Sequence, residues 1–174
     1  MWAWLFDLAS HPGNASALAP LFDIALQAGL SHGHAYTNAD RSAVAVWAPP
    51  DVNALGRTHG EALAALVQER CGDAGLSRLS ALASGTRAAH PAESHFYLFL
   101  VGVHAQRRSE GLGVEILSPL LQVCDTQGWP AYLESSNPRN LSFYHRLGFE
   151  ARSEIELANG PVMTAMWRES RREI

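Results

Sequence analysis

The stretch from Phe96 to Gly113 places the strongest constraint on the fold. Its first eight residues, FYLFLVGV, are apolar at both alternating sets of positions, which is typical of a strand covered on both faces of a sheet. A polar turn follows, and Gly111-Leu112-Gly113 then opens a segment with helical periodicity that ends at Gly128. The stretch therefore predicts a buried strand, a turn and a helix.

The turn before this helix has the chemistry of an anion site. A helix start leaves backbone N–H groups without partners, and the helix dipole adds partial positive charge there. Gly111 and Gly113 allow a ligand to approach the backbone, while Arg107 and Arg108 supply positive charge. The spacing is neither a P-loop nor a dinucleotide fingerprint. We therefore expect a phosphate or diphosphate here, with an ordinary solvated turn as the alternative.

Length and composition limit the class of protein. A chain of 174 residues with 47% hydrophobic content suits one domain with a sizeable core. The net charge of -4 argues against broad binding to nucleic acid. We expect no membrane span and no signal peptide, because the apolar segments are too short. Cys71 and Cys124 lack metal-type spacing, so we expect reduced thiols and a cytoplasmic protein.

The other elements are predicted from periodicity and from turn residues. In the first half of the chain they are a helix over 15–28 ending at Gly29, a hairpin of 35–37 and 43–47, and two helices between 55 and 89 interrupted at 72–75. These two helices could form a lid. In the second half they are a strand over 131–135, a capped helix starting at Asn137-Pro138, and strands over 149–157 and 162–167. The pattern contains no repeat and no linker.

Two motifs in a fixed order carry a family resemblance. Arg108-x-x-Gly111-x-Gly113 follows the buried strand, and Asn137-Pro-Arg-Asn140-Leu-Ser-Phe-Tyr144 follows the strand Tyr132-Leu-Glu134. Together they resemble the GNAT superfamily of acetyl-CoA-dependent N-acetyltransferases, over 96–168 and loosely over the hairpin. The residues Tyr132-Leu-Glu134 and Asn137-Pro-Arg-Asn140 are most similar to those of puromycin-acetyltransferase-like and uncharacterised members.

The resemblance implies a fold and a domain layout. The expected fold is one α/β domain over 1–174, with a mixed, mostly antiparallel sheet, splayed central strands and flanking helices. The family's first strand and most of its first helix have no counterpart before Met1, so we expect a truncated start. Relatives in this family often form dimers, and a homodimer is accordingly an open expectation.

The resemblance also implies the reaction and the donor site. The expected reaction is direct transfer of acetyl from acetyl-CoA to a primary amine of a small molecule or peptide. The backbone of Val101 and Val103 is expected to pair with the pantetheine arm. The remaining expected donor-site residues are Arg107, Arg108, Ser109, Glu110, Gly111, Leu112, Gly113, Asn137 and Asn140. Ser109 and Glu110 depart from the usual glycine and basic residue, and Asn137 has a helix cap as its alternative role.

By the same resemblance, Tyr144 is the general acid that protonates the departing thiolate, with a core aromatic as the alternative. A phenol suits this role because its pKa lies within roughly two units of that of a thiol. The attacking amine must lose a proton, and Glu134 and His95 are the two candidate bases. A purely structural buried Glu134 is the open alternative.

Two other functions remain compatible with the sequence. A non-catalytic acyl-CoA-binding regulatory module would keep the fold without turnover, and Ser109 and Glu110 favour it. A nucleotide-phosphate enzyme is a third hypothesis for the turn. We expect no metal, because the closest histidine pair, His32-x-His34, has no third ligand nearby in the sequence.

Overall fold

A sheet of six strands forms the centre of the molecule in the computed structural model, which describes residues 1–171. The strands are β1 (Ala35–Thr37), β2 (Ala43–Ala48), β3 (Phe96–Val103), β4 (Ala131–Ser135), β5 (Glu150–Glu156) and β6 (Val162–Arg168). The helices are α1 (Trp2–Leu5), α2 (Leu18–Ser31), α3 (Gly56–Ala89), α4 (Leu112–Gln127) and α5 (Leu141–Arg146), with 3-10 turns at Pro12–Ala17, Ala105–Arg107 and Pro138–Asn140.

The strand order is β1-β2-β3-β4-β6-β5, and every neighbouring pair is antiparallel except β3 and β4. These two central strands are parallel and, within the described chain, pair only where Phe96 meets Ala131 and Tyr97 meets Tyr132. Beyond that point they separate. The predicted mixed, mostly antiparallel sheet with splayed central strands is confirmed.

One face of the sheet is covered by α4 and α5. Leu98, Leu133 and Met166 point to this face and form a core with Leu117 and Phe149. Because strand side chains alternate, the neighbouring positions on the same strands point to the opposite face. This opposite face carries Tyr97, Tyr132, Glu134, Ala165 and Trp167, of which the side chains other than Glu134 belong to a second apolar cluster.

Helix α3 covers this second face. Leu82 packs against Ile155 and Leu157, and the preceding part of α3 packs against α1 and α2. The predicted interruption between two helices is present as a break at Gly72, whose φ of 57° and ψ of -156° are not helical. Glycine adopts such a positive φ without the steric cost that a Cβ would impose.

The sequence-based bounds of α2 were wrong at both ends. The helix begins at Leu18, because Pro12–Ala17 forms a 3-10 turn, and it continues through Gly29 to Ser31. Gly29 is required for packing, since a Cβ there would collide with Val46. The chain reverses at Gly33, where φ is +74°. A glycine needed for close contact was therefore interpreted as a glycine needed for a turn.

An ion pair between a buried arginine and a half-buried aspartate joins the end of the sheet to α4. Arg168 on β6 is 3% exposed, and its guanidinium donates to both carboxylate oxygens of Asp125 at 2.8 and 2.7 Å. Its Nε also donates to the carbonyl of Leu147, at 2.9 Å. The hydrogen bond from Arg168 holds the pKa of Asp125 below its usual value. This pair fixes α4 and the end of α5 against β6.

The cysteines and the helices bear on two further expectations. Cys71 is half-buried and Cys124 is buried, and both are free thiols. Burial raises the pKa of Cys124 to about 12.

In residues 1–171, no helix combines the length and apolar character that crossing a bilayer requires. The same residues contain no group of three metal-ligating side chains.

Candidate active site

The gap between β3 and β4 is lined by backbone. The N–H of His104 donates to the carbonyl of Ser42 at 2.8 Å, which places the peptide groups of His104 on the β2 side of β3. In an antiparallel pair, successive residues direct their peptide groups to opposite sides. The N–H and C=O groups of Val101 and Val103 therefore point away from β2, into the gap.

A bulge accounts for this orientation. The β2–β3 register shifts between Val46, which pairs with Leu100, and Trp47, which pairs with Leu98. Phe99 is the extra residue on β3, and such an insertion bends its strand and changes which peptide groups face the neighbour. Before the bulge, Phe96 donates its N–H to Pro130 on the β4 side. The bulge therefore lies where β3 leaves β4.

The turn before α4 is held together by Arg107. Its Nη1 lies 2.6 Å from Oδ2 of Asp40 in the β1–β2 turn, and its Nε lies 2.7 Å from Oε2 of Glu110. The hydrogen bonds to Glu110 and Asp40 raise the pKa of Arg107. The negative charge of Glu110 is thus compensated by Arg107. Arg108, in contrast, extends into solvent.

The start of α4 has the backbone expected of an anion site. Gly111 has φ +84°, and Val114 and Glu115 both donate their N–H groups to its carbonyl. The amides of Leu112 and Gly113 precede these first helical bonds and so have no intrahelical acceptor. Ser109 has φ +67°, a conformation that is strained for a residue with a Cβ. The departure from glycine at this position therefore has a conformational cost.

Helix α5 brings Tyr144 to the α4 side of the sheet. The residue is 6% exposed and belongs to the core beneath α4, and its ring packs against Phe143 and Phe149 at centroid distances of 5.1 and 6.1 Å. Burial raises the pKa of Tyr144 to about 12. The phenol consequently keeps its proton at neutral pH. A Cβ on Gly113 would lie 3.1 Å from the Phe143 ring, so the starts of α4 and α5 are in close contact.

The two asparagines of the second motif have different environments. The side-chain oxygen of Asn137 accepts a hydrogen bond from the N–H of Arg139 at 3.1 Å, and Asn137 caps the 3-10 turn before α5. Asn140 is exposed at the first position before α5, one turn from Tyr144. The structure therefore gives Asn137 the capping role that was its alternative.

Glu134 lies on the opposite face of the sheet from Tyr144. Its side chain is 4% exposed, and the Tyr97 hydroxyl group donates to its Oε2 at 2.6 Å. Its other oxygen, Oε1, is buried and has no hydrogen-bond partner among residues 1–171. Burial, followed by the nearby Glu134 charge, raises the pKa of Tyr97 well above its usual value. Tyr97 thus remains a donor, and Oε1 remains available.

The second candidate base, His95, is buried at the start of β3. Its Nδ1 lies 2.6 Å from the carbonyl of Glu93, which assigns the proton to Nδ1. Its ring packs against Tyr132 and Trp167 at 5.3 and 5.5 Å, and burial lowers its pKa. His95 is therefore held as a neutral imidazole with one nitrogen engaged.

Both candidate bases line one cavity of about 630 Å³ between α3 and the sheet. Its walls include the apolar side chains Leu63, Leu79, Leu82 and Phe99. Its floor includes Tyr97 and Glu134 on the second face of the sheet. This volume lies within the range of small-molecule sites. The cavity is therefore separated by the sheet from the core that contains Tyr144.

Sequence reasoning missed Tyr97 and His90 as neighbours of Glu134. Tyr97 shares a sheet face with Tyr132 and Glu134 once the β3–β4 register is known, and its position in the apolar strand was the available signal. His90 follows the last residue of α3, and its Nδ1 lies 3.9 Å from Oε1 of Glu134. A histidine at a helix end gave no functional signal by itself.

Comparisons with known proteins agree with this geometry. The family model of the acetyltransferase (GNAT) domain matches residues 60–170, which is more than half of the chain. An uncharacterised N-acetyltransferase of Schizosaccharomyces pombe is 36% identical over 62 residues, which are 36% of this chain and 25% of the relative. The chain thus matches about a quarter of the length of this curated relative.

Solved structures share the fold. A histone acetyltransferase HPA2 and related acetyltransferase from Corynebacterium glutamicum aligns over 94% of this chain and 79% of its own, with a TM-score of 0.63 and 21% identity. Arylalkylamine N-acetyltransferase 2 from Aedes aegypti aligns over 86% of this chain and 79% of its own, with a TM-score of 0.59 and 12% identity. At these identities, the two structures support the architecture alone.

Proposed function

The chain belongs to the GNAT acetyltransferase superfamily, and on that premise we propose that it transfers the acetyl group of acetyl-CoA to a primary amine by direct attack. One observation carries the proposal. The sheet that contains the gap between β3 and β4 has a protonated phenol, Tyr144, in the core on one face and a carboxylate with an uncommitted oxygen, Glu134, on the other. A thioester in that gap would meet an acid from one side and an amine from the other.

The donor would bind through backbone groups first. The pantetheine arm would pair with the peptide groups of Val101 and Val103, as an added strand does. The diphosphate would accept hydrogen bonds from the amides of Leu112 and Gly113 at the start of α4. Arg108 would contribute charge from solvent. Arg107 would hold the turn through Asp40 and Glu110 rather than contact the phosphates.

The remaining predicted donor residues have secondary parts in this proposal. Ser109 and Gly111 shape the turn through their positive φ values. Asn140 is exposed at the start of α5 and remains a proposed contact of the donor, whereas Asn137 supports the turn as a cap.

The proposed reaction is a single displacement at the thioester carbonyl carbon, in which the amine loses a proton and the departing sulfur gains one. Glu134 would take a proton from the acceptor ammonium through Oε1, and the neutral nitrogen would attack the carbonyl carbon of the thioester. As the C–N bond forms and the C–S bond breaks, Tyr144 would donate its proton to the sulfur, and the second proton lost by the nitrogen would restore the phenol through solvent. Positioned acid and base groups of this kind contribute about 10²–10⁴-fold each.

Glu134 is favoured over His95 as the base. The Nδ1 of His95 is engaged with a backbone carbonyl, and the lowered pKa of His95 makes it a weaker base. His95 would instead form part of the wall of the acceptor cavity. The acceptor itself is proposed to be a small-molecule or peptide amine, and the cavity volume suits the whole of a small molecule.

The competing hypothesis, a non-catalytic acyl-CoA-binding module, loses its main support. It relied on Ser109 and on the negative charge of Glu110 beside the diphosphate. That charge is paired with Arg107 at 2.7 Å, so the conformational cost at Ser109 is what still favours the module. The buried Oε1 of Glu134, which has no partner among the described residues, adds nothing to folding stability and has no evident use in a module that only binds.

Release of free thiol from acetyl-CoA across a panel of primary amines tests the proposal. Glu134→Gln and Tyr144→Phe should each reduce kcat about 100-fold or more while coenzyme A binding, measured by calorimetry, is retained. Tyr36→Phe is the matched control, since it removes a tyrosine hydroxyl bonded to His34 outside the site. Binding of coenzyme A without thiol release for any amine would favour the module instead.

A further inference from the structure

The proposed reaction requires a route for protons out of the site. An acceptor that enters as an ammonium and leaves as an amide releases one net proton per turnover, because the thiolate recovers only one of the two protons that the nitrogen loses. The base that takes the first of them is Glu134, whose side chain is 4% exposed. With the cavity filled by acceptor, the carboxylate needs a neighbour that passes the proton to solvent.

His90 occupies that position. It follows the last residue of α3, its Nδ1 lies 3.9 Å from Oε1 of Glu134, and its side chain is 39% exposed. Its ring is packed edge-to-face against Tyr97 and Tyr132, at centroid distances of 5.2 and 5.0 Å. The imidazole thus spans the distance between a buried oxygen without a partner and the solvent.

We propose that His90 relays the proton from Glu134 to solvent, an inference that rests on the proposed acetyl transfer. The protonated Oε1 gives its proton to the lone pair of Nδ1, and the resulting imidazolium gives its Nε2 proton to water. The Glu134 carboxylate is then ionised again, and His90, left as the Nδ1–H tautomer, regains its Nε2–H form by exchanging protons with solvent. Since 3.9 Å exceeds a direct hydrogen bond, a small ring rotation or one bridging water completes the path.

Among the described groups that face His90, the other candidates are either buried or already engaged, so His90 is the proposed route of the proton to solvent. His95 lies 4.9 Å away between ring centroids, but it is 6% exposed and its Nδ1 is engaged with Glu93. The Tyr97 hydroxyl group already donates to Oε2, and Tyr132 is fully buried with a pKa raised by burial. The charged neighbours Arg87 and Glu93 line the same cavity at its exposed edge.

Chemical rescue distinguishes a relay from a structural role. In a weakly buffered assay with a saturating amine, His90→Ala should lower kcat roughly tenfold while the KM for the amine changes little. Added imidazole should restore kcat in a saturable manner, because the vacated volume admits it beside Glu134. His90→Gln preserves the size of the side chain without a titratable nitrogen, so it should lose the same activity without being rescued. His11→Ala, at an exposed histidine far from the cavity, is the control.

Each outcome decides the proposal. Rescue of His90→Ala and not of His90→Gln supports the relay. Unchanged kcat in both variants overturns it, as does a loss that no buffer base restores in a protein with normal thermal unfolding and coenzyme A binding. If the wild-type protein releases no thiol with any amine, the proposed acetyl transfer fails and the relay fails with it, whereas wild-type turnover with an unaffected His90→Ala refutes the relay alone.

Discussion

The hydroxyl group of Tyr97 on β3 donates a 2.6 Å hydrogen bond to Oε2 of Glu134 on β4, across the only region of the described sheet where these two strands pair. The bond engages Oε2 and leaves Oε1 buried without a partner, in a side chain that lines the cavity beneath α3. A residue of the buried strand thus positions the proposed base. Several measurable consequences depend on this pair and on the contacts around it.

The first prediction concerns the pair itself. Tyr97→Phe should lower the free energy of unfolding by about 1–3 kcal/mol, because it leaves a second buried oxygen of Glu134 without a donor. Tyr36→Phe, which removes a hydrogen bond at a half-buried site, should cost less. Urea denaturation at neutral pH measures both. Equal losses in the two variants would contradict a special role for the Tyr97 bond.

The second prediction separates the two arginines of the turn. Arg108→Ala should weaken coenzyme A binding roughly tenfold through a lost charge near the diphosphate. Arg107→Ala should also weaken coenzyme A binding, because it leaves the charges of Glu110 and Asp40 uncompensated. Adding Glu110→Gln to Arg107→Ala should therefore raise the affinity for coenzyme A roughly threefold. In the Arg108→Ala background the same Glu110→Gln change should have little effect, since Arg107 still compensates Glu110 there. Calorimetry at low salt measures all four variants, and equal gains from Glu110→Gln in both backgrounds would be inconsistent with the Arg107 pairing.

The third prediction concerns the ion pair between α4 and β6. Asp125→Asn should lower the free energy of unfolding by about 3 kcal/mol, because the buried charge of Arg168 is left without its partner. The pKa of Asp125 is lowered in the folded protein, so its contribution is present above the ordinary value of 3.8 and is lost as the pH falls through the lower folded value. Thermal unfolding of wild type and Asp125→Asn should therefore converge at acidic pH. A constant difference down to strongly acidic pH would argue against the pairing.

The fourth prediction concerns alkaline stability. The pKa of Tyr144 is raised from 10.0 to about 12 and that of Cys124 from 9.0 to about 12 by burial, so the unfolded state loses these protons first. Stability should therefore be full below pH 9 and fall as the pH rises towards 12. Tyr144→Phe and Cys124→Ala should each lose less stability over this window, relative to their own values at neutral pH. Parallel curves for all three proteins would show that other groups dominate.

Local patterns predicted much of the fold. The apolar run Phe96–Val103, the break at Gly72 and the turn at Asn159-Gly160 all occur where the sequence indicated, because each depends on side chains within a few residues. The splay of the central strands followed from the family resemblance of the two motifs. Gly29 shows the limit of local reasoning, since its role depends on Val46 in another element.

The sequence alone therefore determined the elements and the glycine turn before α4, and the family resemblance implied the mixed sheet with splayed central strands. Only the tertiary structure decided which side chains meet: Arg107 with Asp40, 67 residues apart, and Tyr97 with Glu134, 37 residues apart. Elements are set by steric and hydrogen-bonding preferences that act over one or two turns of chain. Contacts between distant residues depend on strand register and on the bulge at Phe99, and a shift of one residue would direct each of these side chains to the other face of the sheet.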